Sequence, residues 1–73
     1  MNVRKYGAEI KRFGKKVRKI RLERKMSQTA LADHCEVDIR TIQRIEKGEF
    51  GSALHIVFGI ADKLSIPVRD LFD

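Results

Sequence analysis

With 73 residues, 42% of them hydrophobic, the chain can build one small domain but cannot enclose the cleft of an ordinary enzyme. No apolar run approaches the roughly 20 residues of a membrane span, the basic start lacks the apolar centre of a signal peptide, and the single cysteine cannot form an internal disulfide, which together favour a cytoplasmic protein. The formal net charge of +6 favours an anionic partner.

The positive charge is concentrated in the first third of the chain. Residues 1–25 hold eleven Lys and Arg against two acidic residues, whereas residues 26–73 hold five against eight. Such a polarised surface can neutralise DNA phosphates, but a run of charge is also typical of an ordinary solvated helix face. Charge alone therefore leaves both interpretations open.

The first predicted helix runs from about Ala8 to Arg24. Its apolar positions recur at helical spacing and are Ile10, Phe13, Val17 and Ile20. Gly7 and Gly14 weaken the early turns by about 1 kcal/mol each relative to alanine. Residues 1–12 are therefore either a basic N-terminal extension or the start of this helix.

Two short helices with separate caps follow, joined by a tight turn. Ser27 is a good N-cap for a helix from Gln28 to about Cys35, and Asp38 is a good N-cap for a helix from Ile39 to about Lys47. Capped helices at this spacing predict a helix-turn-helix, a motif whose second helix binds the DNA major groove.

The second helix of this pair has two chemically different faces. Ile42 and Ile45 are predicted to face inward, and Gly48 is predicted to end the helix. The outward face then carries Arg40, Gln43 and Arg44. A cationic face with hydrogen-bonding groups is suited to contact with base edges.

Ser52 is predicted to cap a fourth helix that ends near Leu64, and Pro67 is predicted to open a short final helical turn. The apolar stripe of the fourth helix is wider than one small core requires. No strand signal, internal repeat or linker is present. The sequence therefore predicts an all-α fold, a compact domain of five short helices.

These residues resemble the Xre/Cro-type helix-turn-helix regulators, a family that includes phage repressors and restriction-modification controller proteins. The resemblance covers about Phe13 to Phe72 and rests on Ser27-Gln28 and Leu31-Ala32 in the second helix and on the run from Ile42 to Gly48. It implies that residues 13–73 form a Cro/phage-repressor-like DNA-binding domain whose third helix lies in the major groove.

The resemblance also implies which residues contact DNA. The candidates for base contact are Ile39, Arg40, Gln43 and Arg44, and the candidates for phosphate contact are Ser27, Gln28, Thr41 and Lys47. Arg and Gln can pair with guanine and adenine edges, whereas Ile39 can make only apolar contact, for example with a thymine methyl. Ser27 can serve as a helix cap and as a phosphate contact at once.

Two further features follow from the same resemblance. Arg21 and Glu46 match a partly buried ion pair that ties the first helix to the end of the third. The family commonly binds palindromic sites as symmetric dimers, and the dimer-interface candidates here are Phe58, Leu71 and Phe72. A phenylalanine such as Phe58 is more often a core residue than an interface residue.

No pattern in the sequence indicates catalysis, a metal site or a cofactor. His34, Cys35 and His55 lack the ligand spacing of a zinc motif, and Cys35 is interpreted as a small core residue. We therefore expect no enzyme activity, metal, cofactor or small-molecule substrate. The expected partners are double-stranded DNA and a second copy of the chain.

The sequence predicts a sequence-specific DNA-binding transcriptional regulator. For a chain this short, repression is expected rather than activation. The regulator would bind a palindromic operator as a homodimer. One alternative is a protein-interaction module or antitoxin-type subunit that retains the fold. Another is a basic membrane-surface protein that uses residues 8–24, which is disfavoured because Phe13 and Val17 are needed for the core.

Overall fold

In a computed structural model, which describes residues 5–73, the chain forms four α-helices and a final 3₁₀ turn. These elements are α1 (Gly7–Glu23), α2 (Gln28–Cys35), α3 (Ile39–Glu46), α4 (Leu54–Leu64) and the 3₁₀ turn Val68–Leu71. The described residues contain no strand, and none of their helices is long and apolar enough to cross a membrane. The all-α prediction is confirmed, with a single 3₁₀ turn as its fifth element.

The first helix begins at Gly7, within one residue of the predicted start at about Ala8. Because α1 starts at Gly7, residues 7–12 are helical and continue directly into the core-facing part of α1. Residues 1–4, the beginning of the predicted basic extension, lie outside the described residues. Ile10 and Phe13 in the early turns are buried.

Local hydrogen bonds set the ends of α2 and α3. The Ser27 side-chain oxygen accepts the Ala30 amide at 3.0 Å, and an Asp38 carboxylate oxygen accepts the Arg40 amide at 2.8 Å. Glu36 ends α2 in a left-handed conformation, with φ of 57°. These caps fix where each helix begins and ends, and therefore how α3 crosses α2.

The predictions for the start of α4 and for the final turn are wrong by one residue each. The N-cap of α4 is Ala53, and the Ser52 hydroxyl donates to the Ala53 carbonyl at 3.3 Å instead of accepting a first-turn amide. Pro67 precedes the 3₁₀ turn with an extended ψ of 147°. The proline ring fixes φ, and this φ suits the residue before the 3₁₀ turn as well as the first residue of a helix.

A single hydrophobic core lies between the four α-helices and the 3₁₀ turn. Leu71 is only 1% exposed and belongs to this core, so its assignment to a dimer interface is wrong. Phe58 points outward and is 56% exposed. Cys35 packs partly buried against the core, where burial raises the pKa of its thiol. The largest fully buried side chains are Val17, Leu31, Ile42, Ile45, Ile60, Leu64 and Leu71.

The crossing of α1 and α3 requires a glycine. A Cβ built on Gly14 would lie 2.1 Å from the Ile45 carbonyl oxygen, and therefore no other residue fits without moving one helix. The close approach brings the second half of α1 against the last turn of α3. The predicted cost of Gly14 to helix propensity is thus offset by this contact.

We expect Gly14→Ala to lower the free energy of unfolding by about 2 kcal/mol or more, because overpacking outweighs the gain in helix propensity. Gly7→Ala is the matched control, since no atom lies within 4 Å of its added Cβ. Urea unfolding followed by circular dichroism measures both. Equal stabilities for the two variants would contradict the close approach at Gly14.

Candidate nucleic-acid interface

The third helix separates a buried apolar face from an exposed polar face. Ile42 and Ile45 are fully buried, whereas the side chains of Arg40 and Arg44 are 84% and 56% exposed. Gln43 is half-buried between these two faces. The outward side of α3 therefore offers two guanidinium groups and one amide to a ligand.

The first two residues of α3 are both exposed. Ile39, a large apolar side chain, is 37% exposed. Arg40 lies beside its own N-cap residue, with its Nε 3.8 Å from an Asp38 carboxylate oxygen. Because both partners are exposed, this contact is weak and leaves the guanidinium free to move.

Arg44 is held by two residues that follow α3. Its guanidinium lies over the Phe50 ring, 5.0 Å from the centroid, and its Nε is 4.0 Å from a Glu49 carboxylate oxygen. Gly48 turns the chain back with φ of 73°, which brings Phe50 beneath the helix. Sequence reasoning missed Phe50, although an aromatic residue two positions after a helix-ending glycine was a usable signal.

A buried ion pair joins α1 to α3. Arg21 Nε donates to Glu46 Oε2 at 2.7 Å, and its Nη2 donates to Glu46 Oε1 at 3.0 Å. The side chains are 8% and 3% exposed. Arg21 Nη1 also donates to the Met26 carbonyl at 2.8 Å, which fixes the chain just before α2. The two residues paired by the resemblance are thus joined by two parallel hydrogen bonds.

Gln28 extends this cluster to the beginning of α2. Its Nε2 donates to Glu46 Oε1 at 3.0 Å, which holds the side chain against the ion pair. A primary amide has a second N–H and a carbonyl oxygen, so Gln28 can still bind a ligand. The contact therefore orients Gln28 without using all of its hydrogen-bonding groups.

A polar cleft of about 340 Å³ lies where α1, α2 and α3 meet. The Glu46 charge in it is balanced by Arg21, so the exposed charges at its rim are positive. The cleft brings together two predicted phosphate contacts and one predicted base contact. It is lined by Arg18, Gln28, Gln43, Glu46 and Lys47.

The remaining phosphate candidates differ in exposure. Lys47 and Ser27 are exposed, and Thr41 is half-buried. The Ser27 oxygen already accepts the Ala30 amide, but its hydroxyl proton is available to a further acceptor. Arg18 was not predicted as a site residue, and only the packing of α1 against α3 reveals its position beside Lys47.

The sequence model of the helix-turn-helix family matches residues 17–71, a range that contains both capped helices and the cleft. The chain belongs to the helix-turn-helix family. Among curated proteins it is similar to Control protein C.BamHI of Bacillus amyloliquefaciens, with 39% identity over 62 residues, covering 84% of this chain and 76% of that protein.

The fold gives a second comparison. The high-resolution crystal structure of the restriction-modification controller protein C.AhdI from Aeromonas hydrophila superposes with a TM-score of 0.85 at 29% identity, covering 89% of this chain and 98% of that one. This helix-turn-helix protein is therefore an Xre-type DNA-binding transcriptional regulator, and its relatives point away from catalytic activity.

We expect Glu46→Met to lower the free energy of unfolding by about 3–5 kcal/mol, because it leaves the buried Arg21 charge unpaired. The double variant Arg21→Met/Glu46→Met should recover much of that loss, since no buried charge remains. Urea unfolding measures both. A double variant no more stable than the single variant would contradict this account of the pair.

Proposed function

We propose that this regulator binds a palindromic operator as a homodimer, with α3 of each copy in the major groove. The proposal rests on the two faces of α3. The outward face carries Arg40, Gln43 and Arg44, and the opposite face is buried in the core. A helix with this division can enter a groove without exposing its apolar side.

Base reading is assigned by the chemistry of these side chains. Arginine donates two parallel hydrogen bonds to guanine O6 and N7, and glutamine pairs with adenine, each contributing about 1–3 kcal/mol of discrimination. The Arg44 guanidinium carbon lies over the Phe50 ring, 5.0 Å from its centroid, a contact made with the ring and not with a hydrogen-bond acceptor. Phe50 therefore positions Arg44 without occupying an N–H donor that a base could use. Ile39 is assigned to an apolar contact such as a thymine methyl.

Phosphate contacts are assigned to the groups that flank this helix. Gln28 lies against the Arg21–Glu46 pair at the beginning of α2, and Lys47 lies at the end of α3. Ser27 and Thr41 are weaker contributors. Phosphate contacts of this kind set the register of the protein on the duplex, while base contacts specify the sequence.

A second copy of the chain is proposed to cover an exposed apolar patch. Leu54, Phe58 and Phe72 are 73%, 56% and 58% exposed, and Tyr6 is 48% exposed. Three of these side chains line an apolar groove of about 290 Å³ between α1 and α4, where Phe72 stacks on Phe13. The groove shares no residue with the cleft beside α3, so a dimer formed there leaves α3 free.

The kind of gene controlled is proposed from the relatives. Both named proteins are control proteins, and the one of known structure is a restriction-modification controller. We therefore propose that the operator lies beside restriction-modification genes. Repression by occupying a promoter is the proposed mode.

The test is selection of bound duplexes from a random pool by the full chain at about 150 mM salt, where surface charge is screened over about 8 Å. We expect an enriched palindrome with half-sites about one helical turn apart. Binding of the enriched duplex should fall about 5- to 150-fold in Arg44→Ala, the equivalent of one base pair's discrimination.

Arg69→Ala is the matched control for this loss, because Arg69 is an exposed arginine on the 3₁₀ turn, away from α3. It should leave the affinity within about twofold. An equal loss of affinity in both variants would mean that Arg44 contributes only its positive charge and no base-specific contact. If no duplex binds at all, a protein-interaction module that retains the fold becomes the better account.

We expect Phe58→Lys to shift the chain from dimer to monomer, because a charge in the proposed interface must be desolvated on association. Leu22→Lys is the control, since Leu22 is similarly exposed at 48% on α1. Sedimentation equilibrium measures both. A wild-type chain that stays monomeric at micromolar concentration would contradict the dimer.

A further inference from the structure

The proposed DNA contacts leave a line of three cations on α1 without a role. Lys11, Lys15 and Arg18 lie four and three residues apart, so they follow one edge of the helix. All three are exposed. We call them the basic edge.

The basic edge runs beside the end of α3. Gly48, which follows α3, lies so close to Lys11 that an added Cβ would be 2.8 Å from the Lys11 Cα atom. At the other end, Arg18 lines the polar cleft together with Gln28 and Lys47. The edge is therefore continuous with the surface that carries the proposed phosphate contacts.

No acidic group neutralises the basic edge. Within residues 5–73, no ion pair of 4.0 Å or less involves Lys11, Lys15 or Arg18. The two acidic residues of α1 lie elsewhere, because Glu9 lines the apolar groove and Glu23 lines a pocket near the C-terminal residues. The edge thus presents three uncompensated positive charges in one direction.

Two other cations of α1 have a different environment. Lys16 and Lys19 line that pocket with Glu23, Asp70 and Asp73, so carboxylates lie close to them. Their positive charge is partly offset by this neighbourhood. The side of α1 with Lys16 and Lys19 is thus a surface of mixed charge, whereas the basic edge is a surface suited to a polyanion.

We propose that the basic edge is a second phosphate-binding surface, which contacts the DNA backbone that runs past the end of α3, outside the base pairs that α3 reads. The inference rests on the proposed function, because it requires duplex DNA against α3. DNA fits this edge better than an acidic protein does, since the same continuous surface carries Gln28 and Gln43 as well as charge.

The test compares two triple variants that each remove three positive charges from α1. One is Lys11→Gln/Lys15→Gln/Arg18→Gln, and its matched control is Arg12→Gln/Lys16→Gln/Lys19→Gln on the other side. Glutamine retains the methylene groups that pack against Gly48. The dependence of log affinity on log salt is measured for duplex DNA, and thermal melting by circular dichroism checks that each variant is folded.

Each lost phosphate contact lowers the slope by about 0.9, so the basic-edge variant should lose about 2–3 units while the control loses less than about 1. Sequence preference should be unchanged, because phosphate contacts carry no base information. Lys15→Gln against Lys19→Gln repeats the comparison with single exposed residues, should either triple variant unfold.

The outcomes separate this inference from the proposed function. An enriched operator with equal slopes for the two triple variants overturns the basic edge and leaves base reading intact. Loss of slope in the basic-edge variant alone, without an enriched sequence, supports the edge and overturns base reading. A wild-type chain that binds no duplex overturns both.

Discussion

The orientation of α3 depends on one buried ion pair. Isolated charges are costly to bury, and Arg21 and Glu46 offset that cost by two parallel hydrogen bonds at 2.7 and 3.0 Å. The pair requires the backbones of α1 and α3 to approach closely, which Gly14 permits. A third hydrogen bond from Arg21 to the Met26 carbonyl fixes the chain before α2. One cluster therefore sets the positions of three helices.

The same cluster shapes the surface offered to DNA. The charge of Glu46 is balanced by Arg21, and the same carboxylate accepts a hydrogen bond from Gln28. The cleft beside α3 therefore contains a carboxylate without being acidic overall. Cations at the cleft rim and on α3 then face an anionic ligand together. Arg44 is braced on Phe50, which reduces the side-chain freedom it would lose on binding. The residues that pack the domain together thus also shape the surface proposed for DNA recognition.

Features that depend on neighbours in the chain could be predicted from the sequence, whereas features that depend on packing could not. Ser27 and Asp38 cap their helices as expected because their oxygens bond to amides two or three residues away. Ser52 does not, since its hydroxyl turns to the Ala53 carbonyl. Leu71 and Phe58 are both apolar, and only the packing of α4 and the final turn decides that the leucine is buried. The Phe50 contact required the turn at Gly48 to be known in three dimensions.

We propose that α3, fixed by the Arg21–Glu46 pair, reads bases in the major groove. The most direct test is a crystal structure of the chain on its selected duplex. The account predicts the guanidinium groups of Arg40 and Arg44 within hydrogen-bond distance of base edges, with the ion pair intact. A complex in which α3 lies outside the groove, or in which these arginines touch only phosphates, would contradict it.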